Sequence, residues 1–138
     1  MSTKKNKKLL ESFVKAITRG NKEGIRACFK DNAQWHIPPY YVTYGGRADV
    51  VGREGIVGLL CAGPTEFYKP ETIKLGTHFI IADEAYGAYQ FTNTCKTAKG
   101  GDYYNINVFA FRFEDGLIAE VWEHIDSAFF NAQIHGKI

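Results

Sequence analysis

The sequence predicts an α+β fold, with helices gathered on one face of a strongly bent, mostly antiparallel sheet. Three observations carry this. Leu10, Phe13, Val14 and Ile17 recur at helical spacing near the start, and nearly everything after Thr72 alternates like strand. The last two strand-like runs flank Glu114-Asp115-Gly116, which reads as a hairpin turn.

Taken in order, the first helix ends at Gly20, and Asn21 is placed to cap a second short helix carrying Ile25 and Phe29 inward. Asp31-Asn32 turns the chain into a short strand, Ala33 to Ile37, stopped by Pro38-Pro39. Tyr40 to Gly52 is rich in tyrosine and glycine, has no period, and reads as a loop. A third helix is expected over Arg53 to Cys61, with Ile56, Leu59 and Leu60 on its apolar side. Four strands come next: Thr72 to Ala82, Ala85 to Thr97, Asp102 to Phe113, and the hairpin's return to Asp126. In the first of these, Ile73, Leu75, Phe79 and Ile81 share a face by alternation. Ser127 stands where it would cap a short last helix.

Composition narrows the class. At 138 residues the chain fits one domain, 1–138, with a substantial core. The net charge of +2 is concentrated at one end: Lys4, Lys5, Lys7 and Lys8 account for four of seventeen basic residues. The remainder carries thirteen basic against fifteen acidic groups, so the body of the chain has no basic stripe of the kind a nucleic acid needs. No apolar run is long enough for a membrane span, and the lysine-rich start leads into an amphipathic pattern rather than a secretion segment. Cys28, Cys61 and Cys95 are odd in number and widely spaced, which suits reduced thiols in a cytoplasmic protein. Four scattered histidines with no HxH or HxxxH spacing argue against a metal site, and no cofactor motif is present.

One residue stands out chemically. Strand alternation puts Val121, Glu123 and Ile125 on one side and Trp122, His124 and Asp126 on the other. Glu123 is therefore a carboxyl between two aliphatic neighbours on a buried face, where it must be paired, protonated or used in chemistry. Asn105 and Asn107 lie on the matching face of the adjacent strand, with Tyr103, Phe109 and Phe111. Either amide is placed to orient the carboxylate, bond a substrate carbonyl, or satisfy a structural partner. Trp35 shares a face with Ile37 and stands either as a pocket wall or as core. Tyr40, Tyr41, Tyr44, Arg47 and Asp49 populate the loop before the third helix, as substrate contacts or as a self-packed loop. His36, His78, His124 and His135 read as structural or surface groups, and Cys61 and Cys95 have no histidine partner in the sequence.

The strand Asp102 to Phe113 is also apolar on its second face, through Tyr104, Ile106, Val108 and Ala110. With helices available for one face only, a second copy of the chain is the expected cover, giving a homodimer that buries Tyr104, Ile106, Val108 and Trp122.

The element order, the strand ending in WHIPP, the GREGI helix start and the closing FRFEDGLIAEVWEHID together resemble the nuclear transport factor 2-like superfamily, and within it the SnoaL-like and ketosteroid-isomerase-like proteins. The resemblance covers nearly the whole chain. It implies a cone, a curved mixed sheet wrapped around three helices with a pocket at the open end, and it puts the Tyr40 to Gly52 loop near the mouth. Alignment with the steroid isomerases sets Phe13 where they carry the tyrosine, Ile37 at the base aspartate and Phe109 at the buried aspartate. All three are apolar, which argues against that mechanism and leaves Phe13 and Phe109 as expected pocket lining. Glu123 falls where SnoaL-like cyclases have their acid/base carboxylate. The histidine those proteins carry two positions earlier is Val121 here, so the pair is incomplete. The resemblance implies two readings. One is a cofactor-free enzyme of isomerase, cyclase, dehydratase or hydrolase type, acting on a small apolar cyclic metabolite. The other is a non-enzymatic binding or dimerisation module, which a cone filled by Phe13, Trp35, Phe109 and Phe111 would favour.

Overall fold

The computed structural model describes residues 3–38, 49–62 and 66–136. Its helices are α1 (Thr3–Arg19), α2 (Lys22–Cys28), α3 (Arg53–Ala62) and α4 (Ser127–His135). Its strands are β1 (Phe29–His36), β2 (Asp49–Val51), β3 (Lys74–Ala82), β4 (Tyr86–Lys96), β5 (Asp102–Glu114) and β6 (Leu117–Ile125). They form one mixed sheet in the order β2-β1-β6-β5-β4-β3, antiparallel throughout except where β1 runs parallel to β6.

Local chemistry explains most of the boundaries. Asn21 caps α2 by accepting from the Gly24 amide at 3.0 Å. The β5–β6 hairpin closes through Asp115 and Gly116, at φ 54° and 76°, the left-handed pair that a two-residue turn with the sheet's twist demands. Asp126, one residue before the expected cap, accepts from the Phe129 amide at 2.9 Å, and Gly136 closes the last helix in the left-handed region at φ 66°.

The core lies between the helices and the concave face. Leu10, Phe13 and Ala16 of α1, Ile25 of α2, and Ile56 and Val57 of α3 meet Phe29, Ala33, Trp35, Tyr89, Phe91, Phe109, Phe111, Phe113 and Val121 of the sheet. Asn6 anchors α1 by donating to the Asp83 and Glu84 carbonyls at the β3–β4 turn.

Four expectations change. Phe29 is buried as expected but opens β1 instead of closing α2, because its extended backbone at φ −110° ends the helix. The first strand therefore starts four residues before Ala33. The region read as loop contains β2, whose Val50 pairs with Trp35. Phe79 and Ile81 do not share the inner face with Leu75: the β3–β4 register slips between Thr77 and Phe79, and the extra residue turns the rest of the strand over. Ile80 and Ala82 pack on the core, while Phe79 and Ile81 are 41% and 57% exposed. Finally, the strand expected from Thr72 begins at Lys74, after a 3₁₀ turn over Pro70–Thr72.

Candidate functional site

Alternation along β5 sets up the site. Its buried residues run Phe113, Phe111, Phe109, Asn107, Asn105, Tyr103, so one strand passes from aromatic to polar and back to aromatic. The neighbouring strands match it. In β4, Tyr89 pairs with Phe109, Phe91 with Asn107, Asn93 with Asn105 and Cys95 with Tyr103. In β6, Glu123 lies opposite Phe109, and Ile125 opposite Asn107. The concave face is thus an aromatic floor, a belt of Asn93, Asn105, Asn107 and Glu123, and an apolar cap. That cap is a second cluster, in which Cys95, Tyr103 and Phe130 are buried with Phe67, Tyr68, Ile73, Ile125 and Ile134 against them.

Glu123 sits on the expected face, and its partner is Trp35. The indole Nε1 donates to Glu123 Oε1 at 2.9 Å. The parallel β1–β6 register makes this possible: Trp35 pairs with Val121, and Glu123 is the next residue on the same face. Trp35 is 1% exposed and meets Phe109 edge-on at 4.9 Å between ring centres. Glu123 keeps some accessible surface as a residue, but its carboxyl is deeply enclosed. Burial pushes its pKa up to about 7, against which the Trp35 hydrogen bond pulls weakly down. A carboxyl in this state is near half-protonated at neutral pH, poised both to take and to give a proton.

The asparagines divide. Asn105, fully buried, donates to the Tyr103 hydroxyl at 3.0 Å and the Asp126 carbonyl at 3.1 Å, and its oxygen accepts from the Ile106 and Asp126 amides. Its amide is taken up in holding the start of α4 to β5. Asn107 and Asn93 are each 8% exposed, and their side-chain oxygens are buried with no hydrogen-bond partner among the described residues. Neither Asn105 nor Asn107 bonds the Glu123 carboxyl. Tyr103 accepts from Asn105 and bonds Tyr68; burial raises its pKa, and those two bonds oppose the rise.

Phe13 and Phe109 lie in the aromatic floor. Phe13 is fully enclosed, its ring centre 5.6 Å from Phe29, 6.5 Å from Trp35, 6.4 Å from Phe109 and 5.7 Å from Phe111. Those four expected rings, Phe13, Trp35, Phe109 and Phe111, do pack together below the belt. Tyr40, Tyr41, Tyr44 and Arg47 lie outside the described residues. Asp49, expected in the same loop, belongs to β2 and bonds His36.

Sequence reasoning did not single out Asn93, although the alternation Tyr89, Phe91, Asn93, Cys95 carries it inward. Burial pushes the Cys28 and Cys95 thiols up to about 11, far from the reactive range. His36 faces the convex side, held by Asp49 at Nδ1 (2.9 Å) and Glu120 at Nε2 (2.5 Å) and stacked on Trp122. His78 bonds Gln90 there. Among the described residues no helix is long and apolar enough to cross a membrane.

The model of the SnoaL-like domain family matches residues 10–121. No curated protein matches the sequence. Among solved structures, an NTF2-like protein of unknown function from Burkholderia pseudomallei K96243 is similar at 20% identity and a TM-score of 0.83, over 97% of this chain and 98% of that one. TerC, co-crystallised with polyporic acid, is similar at 18% identity and 0.83, over 95% and 98%. An epoxide hydrolase of LEH-like type from M. tuberculosis is similar at 17% identity and 0.72, over 97% and 92%. At these identities the likeness establishes the fold and leaves the chemistry to the residues.

Proposed function

Because the chain belongs to the SnoaL-like family, we propose that it is a small-molecule pocket protein whose belt carries out cofactor-free acid/base chemistry, with Glu123 as the acid/base. One observation carries this: a deeply enclosed carboxyl with its pKa near 7, fixed in direction by Trp35. Isomerisation, cyclisation and dehydration each need a group that removes a proton next to a carbonyl or hydroxyl and returns it elsewhere. Trp35 supplies the orientation that the histidine two positions before the carboxylate would give in related cyclases, where this chain has Val121. Asn107, Tyr44 and the faces of Trp35 and Phe109 are the proposed substrate contacts, with Phe13 supporting them from below and Asn105, its amide already occupied, holding α4 in place beside them. The similarity to TerC with its bound polyporic acid and to an epoxide hydrolase supports a ring-sized organic ligand.

The convex face is the proposed homodimer interface, since Tyr104 and Ile106 are each 43% exposed beside Val108 and Trp122. Cys28, Cys61 and Cys95 are free thiols, which supports a reducing, cytoplasmic setting as part of this proposal. A binding module without chemistry is the second reading, favoured by the aromatic filling beneath the belt. The deciding experiment is native mass spectrometry against a metabolite extract, followed by turnover of the captured compound. Conversion by the wild type and its loss in Glu123→Gln support the enzyme; unchanged recovery of the ligand from both supports the module.

A further inference from the structure

Helix α1 carries charge that its own stability argues against. Six of the seventeen basic residues and one of the fifteen acidic ones lie on it, leaving the helix at +5 and the rest of the chain at −3. Its first turn holds Lys4 and Lys5 and no acidic residue, and Lys7 and Lys8 follow in the next. The free amides of a helix N-terminus favour anions, so four lysines there oppose the helix dipole. Lys4–Lys7, Lys4–Lys8 and Lys5–Lys8 are also like-charge neighbours one turn apart, which weakens the helix further. Among the described residues, Lys4, Lys7, Lys8, Lys15 and Arg19 form no ion pair. Arg26, Lys30, Arg53, Lys96 and Arg112, by contrast, are each held by a carboxylate.

The arrangement is a stripe. Lys4, Lys8, Lys15 and Arg19 fall within about 60° of one another around the helix axis and run for about 22 Å along it. Lys5 and Lys7 widen the stripe on either side, and all six side chains are exposed. The charge that the sequence gathers at its start is thus carried on along one helix face. That face is presented from an anchored end, because buried Asn6 donates to the Asp83 and Glu84 carbonyls at 3.0 Å and 3.3 Å. The opposite face, with Leu10, Phe13 and Ala16, is locked in the core and cannot be offered to a partner.

The remaining exposed residues decide the kind of partner. Besides the six cations, the face holds only Glu11 and the short hydroxyl residues Thr3, Ser12 and Thr18. Leu9, Val14 and Ile17 at its margins pack against the core. A protein partner would need an aromatic or aliphatic anchor, and the face has none. Nothing on it stacks on a base or reads one, and five of the six cations are lysines rather than forked arginines. A charged plane asks for less: a cluster of roughly four to eight mobile cations is enough to draw a helix to anionic lipid. We propose that this face of α1 docks the protein on an anionic lipid bilayer, the helix lying along the surface and held by charge without insertion. Such a contact is reversible, screened by salt and indifferent to which anionic headgroup supplies the charge. It lies apart from the concave face and does not rest on the pocket reading.

The test co-sediments the full chain at pH 7 with vesicles of phosphatidylcholine alone, and with others containing about 30 mol% phosphatidylglycerol. Partitioning should be at least about tenfold stronger to the anionic vesicles in about 20 mM salt, and lost in about 0.5 M salt. Each lysine near such a surface is worth roughly fivefold, so Lys4→Gln with Lys8→Gln should weaken partitioning by at least about tenfold. Lys4→Arg with Lys8→Arg should retain it. Lys74→Gln with Lys99→Gln removes the same charge elsewhere and should change it by less than about threefold. The Lys4/Lys8 glutamine variant should also keep or raise the thermal midpoint, because it relieves the conflict with the dipole. Equal partitioning to both vesicles, no binding at about 1 mM lipid, or equal losses in the two glutamine variants overturns the docking surface. A lowered midpoint overturns it too, since the lysines would then serve the fold. Duplex DNA added in about 0.1 M salt, at a phosphate concentration matching the anionic lipid, should leave most of the protein on the vesicles. Displacement would give the stripe to nucleic acid instead.

Discussion

The indole nitrogen of Trp35 donates to Glu123 Oε1 at 2.9 Å, joining the inner face of β1 to that of β6. The donor has no charge, so it fixes the direction of the carboxyl without stabilising the anion enough to offset burial. A lysine or arginine in its place would hold Glu123 ionised; the indole leaves it able to change state near neutrality.

Glu123→Gln should therefore abolish most proton transfer while keeping the fold. Gln accepts from Trp35 through its own carbonyl oxygen, so the hydrogen bond survives. On any substrate that is found, kcat should fall by roughly 10²–10⁴, with KM nearly unchanged, and circular dichroism should match the wild type. Wild-type turnover in this variant would make Glu123 structural.

Stability should depend on Glu123 in a defined direction. Its pKa is raised on folding from the ordinary 4.5 to about 7, so the folded state holds the proton more tightly between those values. Unfolding free energy should then fall as pH climbs through that window and level off above it, by roughly 3 kcal/mol in total. The check is urea unfolding of wild type and Glu123→Gln across pH 4 to 8. The difference between them should grow with pH; a flat difference contradicts the buried carboxyl.

His36 should add a second pH dependence at higher pH. Burial of its ring opposes the charged form, but hydrogen bonds to Glu120 and Asp49 outweigh this and raise its pKa above the ordinary 6.5. Its stabilising contribution is present below 6.5 and is lost as pH rises through the folded value. His36→Gln should remove the loss of stability that sets in as pH rises past 6.5 and leave the Glu123 dependence intact, as measured in the same unfolding series.

Trp35→Phe should raise the Glu123 pKa further, because the hydrogen bond that lowers it is gone. It also opens a gap beside Phe109, costing about 1–3 kcal/mol. The pH window read against a Glu123→Gln background should move upward; a downward move would mean that the indole opposes the anion.

Ile106→Glu should dissociate the proposed dimer, since a charge would replace an exposed apolar side chain in the middle of the convex face. Light scattering should report one chain's mass for the variant and two for the wild type at the same concentration. One mass for both would remove the interface.

Periodicity made much of this legible. The inward row from Tyr103 to Phe113, the inward turn of Glu123 and the Asp115-Gly116 hairpin all follow from a repeat of two and from residues that tolerate positive φ. Where it failed, a non-local event intervened. The bulge at β3 reversed Phe79 and Ile81, and alternation within one strand cannot register a slip against its neighbour. The Trp35–Glu123 bond was invisible for the same reason, since it depends on the register of a parallel pair. Asn93 was within reach of the pattern, but its significance lies in a missing partner, which only the packed interior reveals.

The two residues of that parallel pair are 88 positions apart, and β1 reaches β6 only after β3, β4 and β5 have been laid down between them. On a chain emerging from the ribosome, β1 can meet α1, α2 and β2 early, but its other edge stays open until the final strand is released. The Trp35–Glu123 geometry is thus among the last features to form, and a nascent chain lacking β6 has no Glu123 to complete it. Contacts this distant in sequence slow folding, and the exposed edge of β1 is a waiting acceptor for any strand that arrives first. Late completion makes the integrity of the site a readout of whether the whole sheet has closed correctly.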